Sequence, residues 1–394
     1  MAVLVINRNK RNKYDYRKWL KEVEDLVVIS QVEMEDASEY LYAAVVPEFE
    51  ANCSLDITIL ELHRKFNFSS IIVITEMDIV RVADIREYLE IPGQKRESAL
   101  AYRNKYLMKQ LAQKAGVKTA AFCEIHSIND ILSFIRAHGF PIIIKPIDLG
   151  GSIGVTKINN FEELHEYLRN NKYNNQMIET FIYGDMYHLD GIVVNGDLKY
   201  LTIGKYINEC VSFKDGSPLG SIFVNQNTEI SQNLKRSLKS ILSTFPDAPI
   251  LPFHAEFFVD KYDDIYLCEI ASRIGGPGIN DTNKLIYGMD LLETWSRLEC
   301  NLPVDFEKNI SDKYGGWILF PPRNGEVIQR PENIPFNFIV DYKIPIKKGD
   351  KIETAKHSAD SIASFFFESA SPEEGLTRLE QITDWFKESF VVLG

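Results

Sequence analysis

The sequence predicts a multidomain α/β protein, for three reasons. The chain has 394 residues, which is more than one ordinary hydrophobic core accommodates. Its first quarter alternates short β-branched runs with helical segments, a pattern typical of a parallel sheet covered by helices. Its second half carries longer strand-like runs that follow one another closely, which favours an antiparallel sheet.

The first predicted domain covers residues 1–116. Strands are predicted at residues 3–6, 26–30, 43–46 and 71–75, and a helix at residues 57–65. Ile91, Pro92 and Gly93 interrupt this pattern. A long helix is then predicted at residues 97–116, because Leu107 and Leu111 lie on one helical face.

Two further domains are predicted, a small lid at residues 117–183 and a larger domain at residues 184–394. The lid is expected to contain helices at residues 128–138 and 161–169 and strands at residues 141–144, 155–158 and 177–182. The larger domain is expected to contain strands at residues 187–194, 198–205, 253–259 and 265–270 and helices at residues 231–245 and 285–299. A small α/β tail is predicted from about residue 312.

Composition and charge disfavour several classes of protein. A net charge of −12 leaves no excess of Lys and Arg for binding a nucleic-acid backbone. The chain has no apolar run of transmembrane length and no signal-peptide pattern, so we expect no membrane partner and a cytoplasmic location. The five cysteines lack paired spacing and are expected to be reduced. A homodimer is the default expectation for the assembly.

The segment at residues 140–155, FPIIIKPIDLGGSIGV, predicts a phosphate-binding site. A short apolar strand ends at Lys145, and the backbone amides of Gly150, Gly151 and Gly154 can approach anionic oxygens closely. The lysine precedes the glycines, which excludes a Walker A loop, and a strand follows them, which excludes a dinucleotide fingerprint. A glycine hairpin beside a solvated lysine is the alternative interpretation.

Two glutamates in a predicted hairpin indicate a metal site. Glu256 and Glu269 lie in apolar runs on adjacent strands around an acidic turn, so their carboxylates can face each other. Two carboxylates that face each other repel unless a cation lies between them, and hard oxygen ligands suit Mg²⁺. The alternative is an edge strand that carries inward charges or pairs them with lysine.

A cation and a glycine turn follow the second glutamate. Arg273 precedes a turn that contains Gly276, so a guanidinium and free backbone amides can stabilise a phosphoryl transition state. Simple neutralisation of Glu269 by Arg273 is the alternative. His254 should share the face of Glu256, where a supporting role competes with that of a catalytic base.

A family resemblance is carried by Lys105, Lys145, the glycine loop, the run Glu179-Thr-Phe-Ile, Glu256, Glu269 and Arg273. These residues occur in the order seen in ATP-grasp enzymes, and the chain resembles that superfamily over nearly its full length. Four segments are similar to the L-amino acid ligase branch, which condenses two amino acids: PGQKRESALAYRNKYLMKQLAQKAGVKT, FHAEF, EIASRIGGPG and GGWILFPPRNGEV. The resemblance implies an ATP-grasp fold, with a preATP-grasp N-terminal domain, the lid, and a C-terminal domain that clamps ATP against the lid.

The resemblance also implies roles for individual residues. Lys105 and Lys145 contact the phosphates of ATP, beneath a cover of Gly151, Ser152 and Gly154. The adenine-binding linker comprises Glu179, Phe181 and Ile182. The usual ribose-binding acid falls at Met186, so Asp185 or Asp190 is expected to replace it. Glu256 and Glu269 hold two Mg²⁺ ions, which Mn²⁺ can replace, although Ala271 stands where many ATP-grasp proteins have an asparagine ligand.

The chemistry implied by the resemblance is amide formation. ATP phosphorylates a substrate carboxylate, and an amine attacks the acyl phosphate to release phosphate, with Arg273, Lys145 and Gly276 as catalytic candidates. The expected substrates are small molecules, a carboxylate and an amine, both amino acids in the favoured interpretation. Further pocket residues are expected at Glu76, Tyr187, His188, Lys205 and His254. Two alternatives remain, namely acyl transfer to a carrier-protein thiol and an ATP-binding regulatory protein that has lost its chemistry.

Overall fold

The computed structural model describes residues 2–9, 14–208, 213, 216–307, 313–355 and 360–394. Cys210 and residue 312, where the tail was predicted to begin, lie outside the described residues. The other four cysteines are free thiols.

A four-stranded parallel sheet occupies the start of the chain, as predicted. Its strands are β1 (Val3–Asn7), β2 (Leu26–Ser30), β3 (Tyr42–Val45) and β4 (Ser70–Val73), in the order β3-β2-β1-β4. The helices of this region are α1 (Tyr16–Trp19), α2 (Ser54–Phe66) and α3 (Ile79–Tyr88). Every residue of β1, β2 and β4 is buried, because other elements cover both faces of a parallel sheet.

The predicted long helix at residues 97–116 is in fact two helices, α4 (Arg96–Ala101) and α5 (Lys105–Lys114). The chain breaks at Asn104, whose side chain accepts a hydrogen bond from the Leu107 backbone N–H at 2.9 Å and so caps α5. The break places Lys105 in the first turn of α5 and Lys109 one turn later on the same face.

The lid sheet has the order β6-β9-β7-β8 and lies within the predicted lid. Its strands are β6 (Phe122–Ile125), β7 (Ile142–Pro146), β8 (Thr156–Ile158) and β9 (Gln176–Thr180), and its helices are α6 (Ile128–His138) and α7 (Phe161–Asn170). β7 and β8 pair antiparallel, so the glycines join a hairpin as the sequence predicted. β5 (Lys118–Thr119) precedes this sheet and pairs elsewhere.

A nine-stranded sheet forms the centre of the molecule. The remaining strands in chain order are β10 (Gly184–Val194), β11 (Asp197–Tyr206), β12 (Leu219–Phe223), β13 (Ile250–Asp260), β14 (Ile265–Ala271), β15 (Tyr314–Phe320), β16 (Gly325–Gln329), β17 (Ile339–Lys343), β18 (Lys351–Ile352), β19 (Ala363–Ser369) and β20 (Val391–Leu393). The central sheet has the order β17-β19-β15-β12-β11-β10-β13-β14-β5, and β18-β16-β20 form a small sheet. All pairs of the central sheet are antiparallel except β14 with β5.

The helices of this region are α8 (Glu229–Thr244), α9 (Ile279–Tyr287), α10 (Leu291–Glu299) and α11 (Pro372–Ser389). The predicted helix at residues 285–299 is divided at Gly288, which is left-handed at φ 67° and ends α9. The predicted tail does not stand apart, because β15 pairs with β12 and extends the central sheet. Among the described residues, every helix is too short or too polar to span a lipid bilayer.

Candidate active site

A deep cleft lies between the lid sheet and the central sheet. Its cavity measures about 880 Å³ with its open mouth included. One end is apolar and is lined by residues such as Ile143, Phe181, Ile182, Phe258 and Leu267. The other end carries the charged side chains Lys105, Lys109, Lys145, Glu179, Glu256 and Glu269. An apolar slot that leads to a row of ammonium groups suits a nucleotide, with its base in the slot and its phosphates at the lysines.

Glu179 holds two of these lysines. The Lys145 Nζ lies 2.6 Å from Glu179 Oε1, and the Lys109 Nζ lies 3.0 Å from Glu179 Oε2. Burial alone would raise the pKa of Glu179, but the two ammonium groups lower it to about 2. The structure therefore places Glu179 against the lysines, whereas Phe181 and Ile182, which follow β9, line the predicted adenine slot.

Lys105 connects three parts of the site. Its Nζ lies 3.1 Å from Glu269 Oε2 on β14 and donates a hydrogen bond to the Leu149 carbonyl at 2.5 Å, at the start of the glycine loop. Burial opposes ionisation of Glu269, but Lys105, Lys145 and Arg273 lower its pKa, so the residue is a carboxylate. Lys105 thereby links the first turn of α5 to β14 and to the glycine loop.

Glu256 and Glu269 are register partners on β13 and β14, as the predicted hairpin requires. The Tyr206 hydroxyl donates to Glu256 Oε1 at 3.0 Å, and His254 Nε2 lies 3.2 Å from the same oxygen. Both glutamates line the cleft beside the lysines. Two hard carboxylate donors next to the phosphate end of a nucleotide cleft fit Mg²⁺. Ala271 offers no side-chain oxygen to such an ion.

Arg273 is held by an acid from the N-terminal region. Its Nε lies 2.7 Å from Glu76 Oε2, and Arg103 Nη1 lies 2.5 Å from Glu76 Oε1. Burial alone would raise the pKa of Glu76, but the two guanidinium groups lower it. Gly150 also lies against this carboxylate, because a Cβ there would come within 2.7 Å of Glu76 Oε2. Glu76 thus supports both the arginine and the glycine loop.

A second cavity adjoins the first and measures about 660 Å³, its mouth included. It is lined by Gly151, Ser152, Tyr206, Phe213, Leu219, His254, Glu256, Glu269, Arg273, Gly276, Pro277, Ile279 and Trp317. The two cavities share Ser152, Glu256 and Glu269. A phosphate bound in the first cavity and a carboxylate bound in the second would therefore meet at the two glutamates.

A buried chain of hydrogen bonds supports Glu256 from behind. His254 Nδ1 lies 2.8 Å from Asp190 Oδ1, His188 Nδ1 lies 2.6 Å from Asp190 Oδ2, and His188 Nε2 lies 2.7 Å from the Ser221 hydroxyl. Burial disfavours a charged His254, but Asp190 and Glu256 raise its pKa to about 10. A protonated His254 donates to both acids, which supports a positioning role and not that of a general base.

Seven predicted residues line neither of the two cavities: Glu76, Gly154, Asp185, Tyr187, His188, Asp190 and Lys205. Lys205 and Asp185 pair with each other at 2.6 Å, and His188 is fully buried behind Glu256. Asp190 is also fully buried in the histidine network, so it cannot replace the ribose-binding acid. Lys109, Tyr206 and Trp317 were not predicted. Lys109 could have been predicted, because it follows Lys105 by four residues and so lies on the same helical face. Tyr206 and Trp317 could not, because strand pairing brings them to the site.

Comparison with known proteins agrees with this geometry. Residues 138–281 match the ATP-grasp domain. A crystal structure of an L-amino acid ligase from Bacillus licheniformis superposes with a TM-score of 0.76 at 18% identity, covering 100% of this chain and 98% of that one. The chain contains an ATP-grasp domain. The fold and the superfamily predicted from the sequence are confirmed.

Relatives of this chain are named as ligases. The L-arginine-specific L-amino acid ligase of Bacillus subtilis is 24% identical, with 93% of this chain and 92% of that protein aligned. The D-alanine–D-alanine ligase of Campylobacter concisus (strain 13826) is 32% identical over 55% of this chain and 61% of that protein. The chain therefore groups with the ATP-grasp carboxylate–amine ligases, as the sequence predicted, and these use ATP and Mg²⁺.

Proposed function

We propose that this protein joins two amino acids through an amide bond at the expense of ATP, and releases ADP and phosphate. The observation that supports this function is the junction of the two cavities at Glu256, Glu269 and Ser152. A nucleotide cleft and a second cavity with Arg273 at its wall are what a transfer of phosphate to a carboxylate needs. The relatives named above make peptide bonds between amino acids, and none of them is named for a carrier-protein acceptor.

Some residues of the site would bind the substrates, and others would stabilise the charge that develops during the reaction. Lys105 and Lys145 would bind the phosphates, and the amides of Gly151, Ser152 and Gly154 would cover them. Glu256 and Glu269 would hold two Mg²⁺ ions, for which Mn²⁺ can substitute, and the metal supplies charge neutralisation at the transferring phosphoryl group. Arg273 would orient the substrate carboxylate for attack, and Arg273 with the Gly276 amide would stabilise the oxyanion when the amine attacks the acyl phosphate. His254 would keep Glu256 in place.

The test is phosphate release from Mg-ATP by the purified protein, across a matrix of amino acids singly and in pairs, with mass spectrometry of the products. We expect release that requires a pair and yields a condensed dipeptide. Phosphate release that yields no condensed product with any amino acid or pair would contradict amide formation. The location, the three-domain division and a homodimeric assembly stay predictions, which fractionation, limited proteolysis and light scattering can test.

A further inference from the structure

The second cavity has two chemically different sides. Its polar side carries Glu256, Glu269, Arg273 and His254, beside the nucleotide cleft. Its other side, here named the apolar wall, consists of Tyr206, Phe213, Leu219, Ile279 and Trp317. All five are at most 8% exposed and belong to one hydrophobic cluster. A molecule in this cavity therefore has its reacting group at one side and its remaining atoms against packed hydrocarbon.

Three residues of the apolar wall, Tyr206, Leu219 and Trp317, are held by neighbouring strands. Ser221 on β12 is the register partner of Tyr206 on β11 and of Trp317 on β15, so the three side chains stand in a row on one sheet face. Leu219 lies two residues from Ser221 and shares that face. The rings of Tyr206 and Trp317 meet edge to face, 6.3 Å apart at 87°. A wall fixed by strand register discriminates by shape and polarity more sharply than a loop does.

The two glutamates of the polar side already have ion-pair or hydrogen-bond partners. Glu269 pairs with Lys105, and Glu256 accepts hydrogen bonds from Tyr206 and His254. The guanidinium of Arg273 also lies at this cavity, and it is a cation that already pairs with Glu76. Among the described lining residues, the two metal-site glutamates are the only acids. A cationic side chain bound here would therefore find no free counter-charge among these described lining residues.

Aromatic rings attract a cation through their faces, but little of the ring faces is accessible here. The Trp317 ring has Gly278 packed against it, so closely that a Cβ on the glycine would overlap a ring carbon. Its contact with Tyr206 is edge to face. Cation–π attraction is also weaker than the cost of taking a guanidinium out of water without an anion. The apolar wall therefore favours an uncharged hydrocarbon side chain.

We infer that the acyl donor, whose carboxylate is activated and which becomes the N-terminal residue of the product, is an amino acid with an aliphatic or aromatic side chain. Its carboxylate would lie at Arg273 and the two glutamates, and its side chain would lie against the apolar wall. This inference rests on the proposed function and refines its substrate class. It also separates this chain from the relative named as arginine-specific, with which it shares 24% identity.

The first test uses the wild-type protein and needs no variant. Leu, Met and Phe are compared with Arg, Lys, Asp and Glu as donors, each with a full set of amino acid acceptors, by phosphate release and by tandem mass spectrometry of residue order. We expect kcat/KM for the apolar donors to exceed that for the charged donors by roughly 100-fold. Preference for a charged N-terminal residue, or apolar residues found only at the C-terminal position, overturns the inference while the ligase function stands. A complete absence of dipeptide overturns the proposed function, and the inference with it.

A matched pair of variants tests the wall directly. Leu219→Asp puts a carboxylate into the apolar wall, and Leu219→Asn puts in an uncharged group of the same size. We expect the ratio of Arg to Leu activity to rise at least about tenfold more in Leu219→Asp than in Leu219→Asn, because only the first gives the guanidinium a partner. Equal ratios in two variants that both bind ATP with wild-type affinity overturn the inference. If neither variant folds, the wild-type donor comparison decides.

Discussion

Glu269 interacts with several charged groups of the active site. It faces Glu256 across the strand pair, and the ammonium of Lys105 lies 3.1 Å from its carboxylate. Arg273 and Lys145 also lower its pKa against the effect of burial. These three cations keep the carboxylate ionised in a buried site that would otherwise favour its protonated form. A carboxyl group must be ionised to bind Mg²⁺.

We predict that Glu269→Gln loses at least about 100-fold in ATP turnover, because it removes a charged metal ligand while conserving side-chain volume. Phosphate release measures the loss, and circular dichroism checks that the fold is retained. Glu368→Gln is the control, since Glu368 lies on β19 away from both cavities and pairs with Lys313. Turnover equal to that of the wild type in Glu269→Gln would remove this residue from the metal site.

A second single-residue prediction concerns acid stability. The folded protein lowers the pKa of Glu179 from 4.5 to about 2, so the carboxylate stabilises the fold above pH 4.5 and this contribution is lost as the pH falls toward 2. Glu179→Gln leaves Lys109 and Lys145 without their buried counter-charge and should cost about 3–5 kcal/mol at pH 7. The difference in unfolding free energy between wild type and variant should therefore shrink between pH 4.5 and pH 2. Urea titrations of the ATP-free proteins at several pH values measure it, and a constant difference contradicts the assignment.

Among the secondary-structure elements, the hairpin of β7 and β8 is the one whose loop must meet the phosphates. The loop is held at one end by Lys105, which binds the Leu149 carbonyl, and it rests on Glu76 at Gly150. Gly151 and Gly154 have positive φ values of 63° and 72°. Residues other than glycine adopt such dihedrals at a cost, and glycine lets the backbone come close to a ligand.

We predict that Gly154→Ala raises the KM for ATP by roughly tenfold, equivalent to about 1.4 kcal/mol of binding energy. A Cβ at this position would come within 2.8 Å of the Pro146 ring, so the loop must shift away from the phosphates. Gly196→Ala is the matched control, because Gly196 has a φ of 83° and open space around its Cβ, in the turn between β10 and β11. Steady-state kinetics should show a normal KM in the control. Equal changes in both variants would mean that dihedral strain, and not loop position, is responsible.

The elements also show how far the sequence could predict this site. The lysine strand, the glycine hairpin and the pairing of Glu256 with Glu269 were predictable, because each depends on residues close together in the chain. The break in the helix before Lys105 was missed because apolar spacing continues through the Asn104 cap. The two lysine partners of Glu179 were missed because they come from α5 and β7, and only the tertiary fold brings these together.

At the scale of the whole molecule, the N-terminal sheet is joined to the central sheet by a shared core. One hydrophobic cluster contains Val5 and Val28 of the parallel sheet together with Ile192 of β10 and Trp295 of α10. Glu76 extends this connection to the active site, since it comes from the N-terminal region and binds Arg273. Sequence patterns indicated separate domains but not this joint core, because a pattern of apolar residues does not state which surface covers them.

A buried ion pair crosses the same interface and supports the last prediction. Arg86 Nη2 on α3 lies 3.3 Å from Glu299 Oε2 on α10, with the side chains 2% and 5% exposed. The Trp295 indole N–H donates to Glu299 Oε1 at 3.0 Å, and the Ser70 hydroxyl of β4 donates to the Glu299 carbonyl at 2.7 Å. Removing one partner of such a pair leaves a buried charge unpaired, which is more costly than the pair is stabilising.

We therefore predict that Glu299→Gln lowers the free energy of unfolding by about 3–5 kcal/mol. Glu22→Gln is the matched control, because Glu22 also pairs across this interface, with Arg297 of α10, but its side chain is 40% exposed. An exposed pair contributes little to stability, since water and salt screen it, so Glu22→Gln should leave the free energy of unfolding nearly unchanged. Urea unfolding of both variants separates the two cases. Similar losses in both would show that burial does not set the strength of these contacts, and that the shared hydrophobic core alone holds the N-terminal sheet against the rest of the molecule.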